Sequence, residues 1–197
     1  MQNKHAVIIN GANTVGLAVA TKLSQINQEI VITTTEDKLK NDCRFPILMV
    51  PNKTFEKEQE KLDFLQGNVH TLVQIISCPD YEMLLKKRDI VSSTWPWISA
   101  LQVLRQKALD HPINVLLVLT GRDPLISALL QTEMNYITAD TIDSPVHINL
   151  LTTDQSYEDM EADNVEHVAN ATFILCSGLF AGMKAQTIHL NAGETPE

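Results

Sequence analysis

Cysteine is scarce in this chain and scattered where it occurs. Cys43, Cys78 and Cys176 are odd in number and far apart, and no CxxC or Cys/His cluster is present. That usage points away from a disulfide framework and from a zinc site. Basic charge is scarce too: 15 Lys and Arg stand against 24 Asp and Glu, a formal net charge of −9. Nucleic acids and anionic membranes attract basic surfaces, so neither is an expected partner. The acidity itself reads most simply as solubility. No apolar run is long enough to span a bilayer. The opening MQNKHAVII enters a strand and a glycine turn too soon for a signal peptide, so a reducing cytoplasm is the expected compartment. No repeat, low-complexity tract or linker divides the 197 residues. One domain across 1–197 is expected.

What is present alternates between strand and helix patterns. His5 to Asn10, Ile30 to Thr34, Ile47 to Val50, Val69 to Ser77, Ile113 to Thr120, Pro145 to Leu151 and Ala185 to Leu190 read as strands. Two of them, Val69 to Ser77 and Ile113 to Thr120, are nearly continuous apolar runs, the mark of parallel strands buried on both faces. Helical spacing appears from Gly16 to Asn27, with Leu17, Ala20 and Leu23 as its apolar face. Charged residues fill the helix expected from Thr54 to Gln66. A broad apolar sector including Trp95, Trp97, Ala100 and Val103 marks a long helix from Val91 to Leu109. Two further helices are expected, Pro124 to Ile142 with Asp123 as its N-cap, and Val165 to Cys176. The alternation predicts a Rossmann-like, doubly wound α/β fold with a mainly parallel seven-stranded sheet.

The first strand runs into IINGANTVGLAVATKL, where such a fold keeps its phosphate turn. Glycine there lets backbone approach a pyrophosphate whose charge sits at the helix N-terminus. Read as G-x-G-x-x-G, the glycine positions are Gly11, Asn13 and Gly16, so the middle glycine is Asn. Gly11, Asn13, Thr14, Val15 and Gly16 form a degenerate cofactor-binding loop. Asn tolerates positive φ, which lets the turn persist, while its side chain competes for phosphate space. The next strand ends Thr33-Thr34-Thr35-Glu36. Glu36 is a late candidate for the ribose hydroxyl, and no Arg accompanies the threonines to hold a 2′-phosphate.

The stretch from Asn164 to Gly193, NVEHVANATFILCSGLFAGMKAQTIHLNAG, carries a helix of the pattern evA-x-a-x-x-fL-x-S and a strand of the pattern GQ-x-x-x-v-x-gG. It closely resembles the C-terminal signature of the short-chain dehydrogenase/reductase family, and the rest of the chain can be laid on the same fold from Gly11 onward. The homologues most similar at this end reduce 3-oxoacyl groups. The resemblance implies NAD(P) as cofactor, an acidic residue after the third strand and an N-N-A-G turn after the fourth. Here Pro51 or Asn52 replaces the acidic residue, and Ser77-Cys78-Pro79 replaces the turn. Against the family's own G-x-x-x-G-x-G loop, the turn is also one residue short. The expectation is no NAD(P) or weak NAD(P).

The resemblance further implies a Tyr that moves a proton, a Lys four residues later that lowers its pKa, and a Ser that orients the substrate. No Tyr here has that Lys: Tyr81 is followed at +4 by Leu85, Tyr136 by Asp140 and Tyr157 by Glu161. Tyr136 falls late in its helix, and the loop after Thr120 is too short for the usual Ser-to-Tyr span. Thr120 could mimic the Ser but reads better as a strand end. TTDQSYEDMEAD likewise stands where the family keeps a long segment over its substrate. No catalytic and no metal residue is therefore assigned. Asp37 and Asp42, or Glu158, Asp159, Glu161 and Asp163, read as solvated caps. Ser92-Ser93-Thr94 reads as a helix entrance, and the lone His147 and His189 as packed side chains.

The first functional reading is a catalytically inactive protein of this type with a binding, structural or regulatory role. Self-association through the 91–109 helix or the last helix and strand is expected, as the resemblance implies. The second reading is an NAD(P)-binding oxidoreductase or redox sensor of the 3-oxoacyl reductase type. A third is an inactive subunit that completes a related active one.

Overall fold

The computed structural model describes residues 5–26, 29–34, 44–49, 69–77, 112–121, 124–139, 146–179 and 182–190. The helices expected at 54–66 and 91–109 lie outside them. So do Thr35, Glu36, Asp37, Asp42, Cys43, Pro51, Asn52, Cys78, Pro79, Tyr81, Ser92, Trp95, Trp97 and Asp123.

Seven strands form one sheet: β1 His5–Ile9, β2 Glu29–Thr34, β3 Ile47–Met49, β4 Val69–Ser77, β5 Ile113–Thr120, β6 Val146–Thr153 and β7 Thr187–Leu190. Their order is β3-β2-β1-β4-β5-β6-β7. Every pairing is parallel. The order reverses between β1 and β4, and the halves on either side give the doubly wound topology. The near-continuous apolar runs of β4 and β5 occupy its centre. Leu72, Val73, Leu116, Leu117 and Val118 are all essentially inaccessible there. A strand covered on both faces has no polar side to present, which is why neither run alternates.

Three described helices cover the sheet. On one face α1 (Thr14–Leu23) and α3 (Ala162–Cys176) pack side by side against Ile8, Ile32, Val73, Ile75 and Leu151. On the other face α2 (Pro124–Ala139) sets Ile126, Leu130 and Met134 against Leu72, Leu117, Ile148 and Leu150. Ile126, Leu130 and Met134 recur at a four-residue spacing, so they form one stripe along the helix. Lys22 Nζ meets Glu166 Oε1 at 3.2 Å, bridging the outer sides of α1 and α3.

Boundaries shift from the expected ones in ways the sequence explains. Helix α1 begins at Thr14 rather than Gly16 because Asn13 caps it. Its buried face is Val15, Gly16, Val19, Ala20 and Leu23. Leu17, expected on that face, is 37% exposed, since it lies at the rim of the stripe. Strand β6 runs on through Thr152 and Thr153, whose β-branched side chains suit a pleated strand. Strand β7 starts only at Thr187 because Ala185 takes φ 53, outside strand geometry. Helix α3 starts a turn earlier than expected, at Ala162, and Asp163 sits in its first turn.

Candidate functional site

Ligands of open parallel sheets bind beyond the carboxyl ends of the strands, where the strand order reverses. That place is here the turn after β1, with the ends of β2, β4, β5 and β6 beside it. Strand β1 stops at Ile9, and Asn10 takes φ 55, the left-handed conformation that Asn tolerates better than most residues. The need for positive φ thus falls on Asn10, while Asn13 is extended at φ −135 and ψ 175. The N–H of Gly11 donates to the Thr33 carbonyl at 3.1 Å and ties the turn to β2.

The two glycines of the turn are required by packing. A Cβ on Gly11 would meet Ile8 Cγ2 at 2.5 Å and Ile32 Cγ2 at 3.1 Å. A Cβ on Gly16 would meet the Gly11 carbonyl oxygen at 2.2 Å and its Cα at 2.4 Å. Helix α1 can lie this close to the turn only without a side chain at residue 16. Between them, the Asn13 Oδ1 accepts from the Gly16 N–H at 2.8 Å, while Asn13 Nδ2 donates to the Asn10 carbonyl at 2.8 Å. Thr14 is exposed at the first helical position, and Val15 points into the core. Of the five loop residues read from the sequence, Gly11, Asn13 and Gly16 are brought together by direct contact. Thr14 and Val15 follow along the helix.

Hydroxyl side chains line the rest of this edge. Thr33, Thr34, Thr120 and Thr153 end their strands and are buried. The Thr120 hydroxyl donates to the Ile76 carbonyl on neighbouring β4 at 3.2 Å. It is committed to the sheet, as expected of a strand end. The loop that follows is short: Gly121 takes φ 78 and its N–H donates to the Gln155 carbonyl at 2.8 Å, and α2 opens at Pro124. Tyr136 belongs to the last turn of that helix, which ends at Ala139.

A second polar group joins β6 to β7 through His189, which the sequence presents as a lone packed histidine. His189 Nδ1 lies 2.7 Å from Thr152 Oγ1, and its Nε2 lies 3.4 Å from Asp154 Oδ2. The parallel register sets Thr152 beside His189. Only strand pairing over a long sequence separation brings these residues together, so no local motif announces them. His147 fits the packed reading: its Nδ1 is buried without a hydrogen-bond partner, and its pKa is lowered by burial and then by the nearby Lys184 charge. Cys176 is buried among apolar groups, which pushes its thiol up to about 12.

Glu158, Asp159, Glu161 and Asp163 are exposed at the entrance to α3. Among the described residues no group of three His, Cys, Asp or Glu side chains converges as a metal site would require. No described helix is long and apolar enough to cross a membrane.

The chain matches no family model and no curated protein. Solved structures do match it over nearly its whole length. An aldohexose dehydrogenase from Thermoplasma acidophilum, in a C-terminally deleted form, superposes with a TM-score of 0.74 at 10% identity, covering 98% of this chain and 96% of its own. A short-chain dehydrogenase/reductase described as putative, from Sinorhizobium meliloti, gives 0.73 at 14% identity over 100% and 99%. Another from Serratia marcescens gives 0.70 at 12% identity over 99% of each chain. The fold is therefore that of the short-chain dehydrogenase/reductases, in a single Rossmann-like layer arrangement. At such identities the likeness establishes architecture and leaves chemistry to the residues.

Proposed function

We propose that this protein is a catalytically silent member of the short-chain dehydrogenase/reductase fold, with a binding, structural or regulatory role exercised as a homo-oligomer in the cytoplasm. One observation carries the reading: no tyrosine in the chain is followed four residues later by lysine. A phenol transfers a proton near neutral pH only when something lowers its pKa, and a lysine one helical turn away is this fold's means of doing so. The Thr120 hydroxyl, placed where it could mimic the substrate-orienting serine, donates instead to the Ile76 carbonyl. The short passage from β5 to α2 leaves little chain to carry a serine and a tyrosine on one side of a substrate.

The test is consumption of NADH and NADPH with acetoacetyl and longer 3-oxoacyl thioesters. The rate should match a control without protein. Turnover that disappears with Tyr136→Phe would overturn the proposal in favour of an active oxidoreductase. A related active subunit as partner is the variant of this reading to be tested by copurification from the native source.

A further inference from the structure

The fold implies a dinucleotide at the turn after β1, and the residues of the turn do not fit one. The three glycines of a G-x-G-x-x-G loop have separable tasks. The first makes the tight turn, the second lets the backbone approach the pyrophosphate, and the third lets the helix pack closely on the strand. This chain keeps the first and third, Gly11 and Gly16, and both are explained by internal contacts. A Cβ at Gly11 would strike Ile8 and Ile32 on the core side, and a Cβ at Gly16 would strike the Gly11 backbone. Neither glycine attests a ligand. At the middle position of that pattern, where glycine would leave room for the pyrophosphate, this chain carries Asn13.

We infer that Asn13 fills the anion position of this turn from within, so that the chain carries an internal substitute for the cofactor's pyrophosphate. Its Oδ1 takes the Gly16 N–H at 2.8 Å, an amide at the N-terminus of α1 that a bound phosphate oxygen would accept from. Its Nδ2 donates to the Asn10 carbonyl at 2.8 Å, so the amide spans the turn from residue 10 to residue 16. Swinging the side chain out to admit an anion would break both bonds at once. The anion would also meet an acidic protein, at net charge −9. A glycine at residue 13 removes the obstruction at little cost, since Gly is itself an acceptable N-cap.

This inference rests on the proposed silent role for the same cleft, but its test reads anion binding and not turnover. Inorganic pyrophosphate is titrated into the unmodified protein and into Asn13→Gly and Asn13→Asp, following the Gly16 amide by NMR and the heat by calorimetry. The expected result is saturable binding to Asn13→Gly, at least about tenfold tighter than to the unmodified protein, with the Gly16 amide among the shifted signals. Asn13→Asp keeps an oxygen acceptor at the cap and adds a negative charge, so it should stay closed. Should Asn13→Gly lose its folded circular dichroism spectrum, Asn13→Ala repeats the experiment, because it removes the same amide. Equal binding by the unmodified and opened proteins would overturn the inference, as would no binding by a folded, opened variant. Reductase turnover in the unmodified protein would sink the proposed function while leaving this comparison to be decided by the titration.

Discussion

A Cβ on Gly16 would stand 2.2 Å from the carbonyl oxygen of Gly11. Gly16 lies in the first turn of α1, where replacing glycine by alanine ordinarily gains up to about 1 kcal/mol of helix propensity. Here the sign should invert, because the obstacle is backbone and cannot rotate away. Gly16→Ala should cost about 2 kcal/mol or more, the range for forced overpacking, read from the urea midpoint at constant m. Gly11→Ala should also destabilise, since the blocking Ile8 and Ile32 are β-branched and stiff at χ1. A Gly16→Ala protein as stable as its parent would refute the close approach of helix and turn.

That contact also marks how far the sequence could be read. The alternation of patterns and the unbroken apolar runs of β4 and β5 announced a buried parallel sheet, because such strands have no exposed face. The glycines announced the turn. What the sequence could not distribute was the work within it: positive φ fell on Asn10, while Asn13 became an extended cap. Both are asparagines with similar turn preferences, and only the path of the chain between β1 and α1 decides between them. Leu17 falls outside the buried face for a related reason. At helical spacing it belongs to the apolar stripe, but two neighbours, α3 and the sheet, select which part of the stripe is covered. The Thr152–His189 pair depends on strand register, which no local pattern encodes. Of the candidate site, the loop was legible and the β6–β7 polar link was not.

Ala185 holds φ 53, a conformation that L-residues other than Asn and Asp seldom adopt. It occupies the first position of the pattern GQ-x-x-x-v-x-gG that this stretch resembles, where the pattern has glycine. The surrounding loop is pinned from both sides. Asn149 Nδ2 donates to the Met183 carbonyl at 3.1 Å and its Oδ1 accepts from the Gln186 N–H at 3.1 Å, while Gln131 donates to the Ala185 carbonyl. Alanine is therefore held in place by partners that exact a backbone strain. Ala185→Gly should relieve about 1–2 kcal/mol of it and return part through the greater freedom of the unfolded chain. A net gain of roughly 0.5–1 kcal/mol is expected, measured by thermal or urea unfolding. A loss of stability would place residue 185 at negative φ in solution.

His147 gives a pH dependence with a definite sign. Its pKa lies below the ordinary 6.5, chiefly through burial and then through Lys184. Protonation would put a second N–H on a ring whose buried Nδ1 has no partner. Above pH 6.5 the imidazole is neutral in both folded and unfolded chains and contributes no slope. As pH falls below 6.5, the unfolded chain takes the proton first, so stability drops until the lower folded pKa is passed. His147→Asn removes this titration. The fall in urea midpoint between about pH 7.5 and about pH 5.5 should be smaller in the variant than in the parent. An unchanged fall would mean that His147 titrates alike in both states.

The last prediction concerns self-association. The sequence offers two surfaces, the helix expected at 91–109 and the final helix and strand, and the first lies outside the described residues. The second has a definite shape. Strand β7 ends the sheet and pairs only with β6 among the described strands. Beside it lies a groove of about 380 Å³ lined by Thr153, His167, Ala171, Ile174 and Leu190, largely apolar in character. Ile174 is 43% exposed on its wall. A strand edge open among the described residues, next to exposed apolar groups, is a surface suited to a second copy about a two-fold axis. Covering it contributes about 25 cal/mol per Å² of apolar area, before the costs of association are subtracted. Light scattering at tens of micromolar should give a dimer mass or a multiple of it. Ile174→Glu should release monomers if α3 and β7 form the contact, and Trp97→Glu should do so if the other helix forms it. A monomer mass for the unmodified protein would reject both surfaces, and a dimer broken only by Trp97→Glu would clear the β7 edge of any part in it.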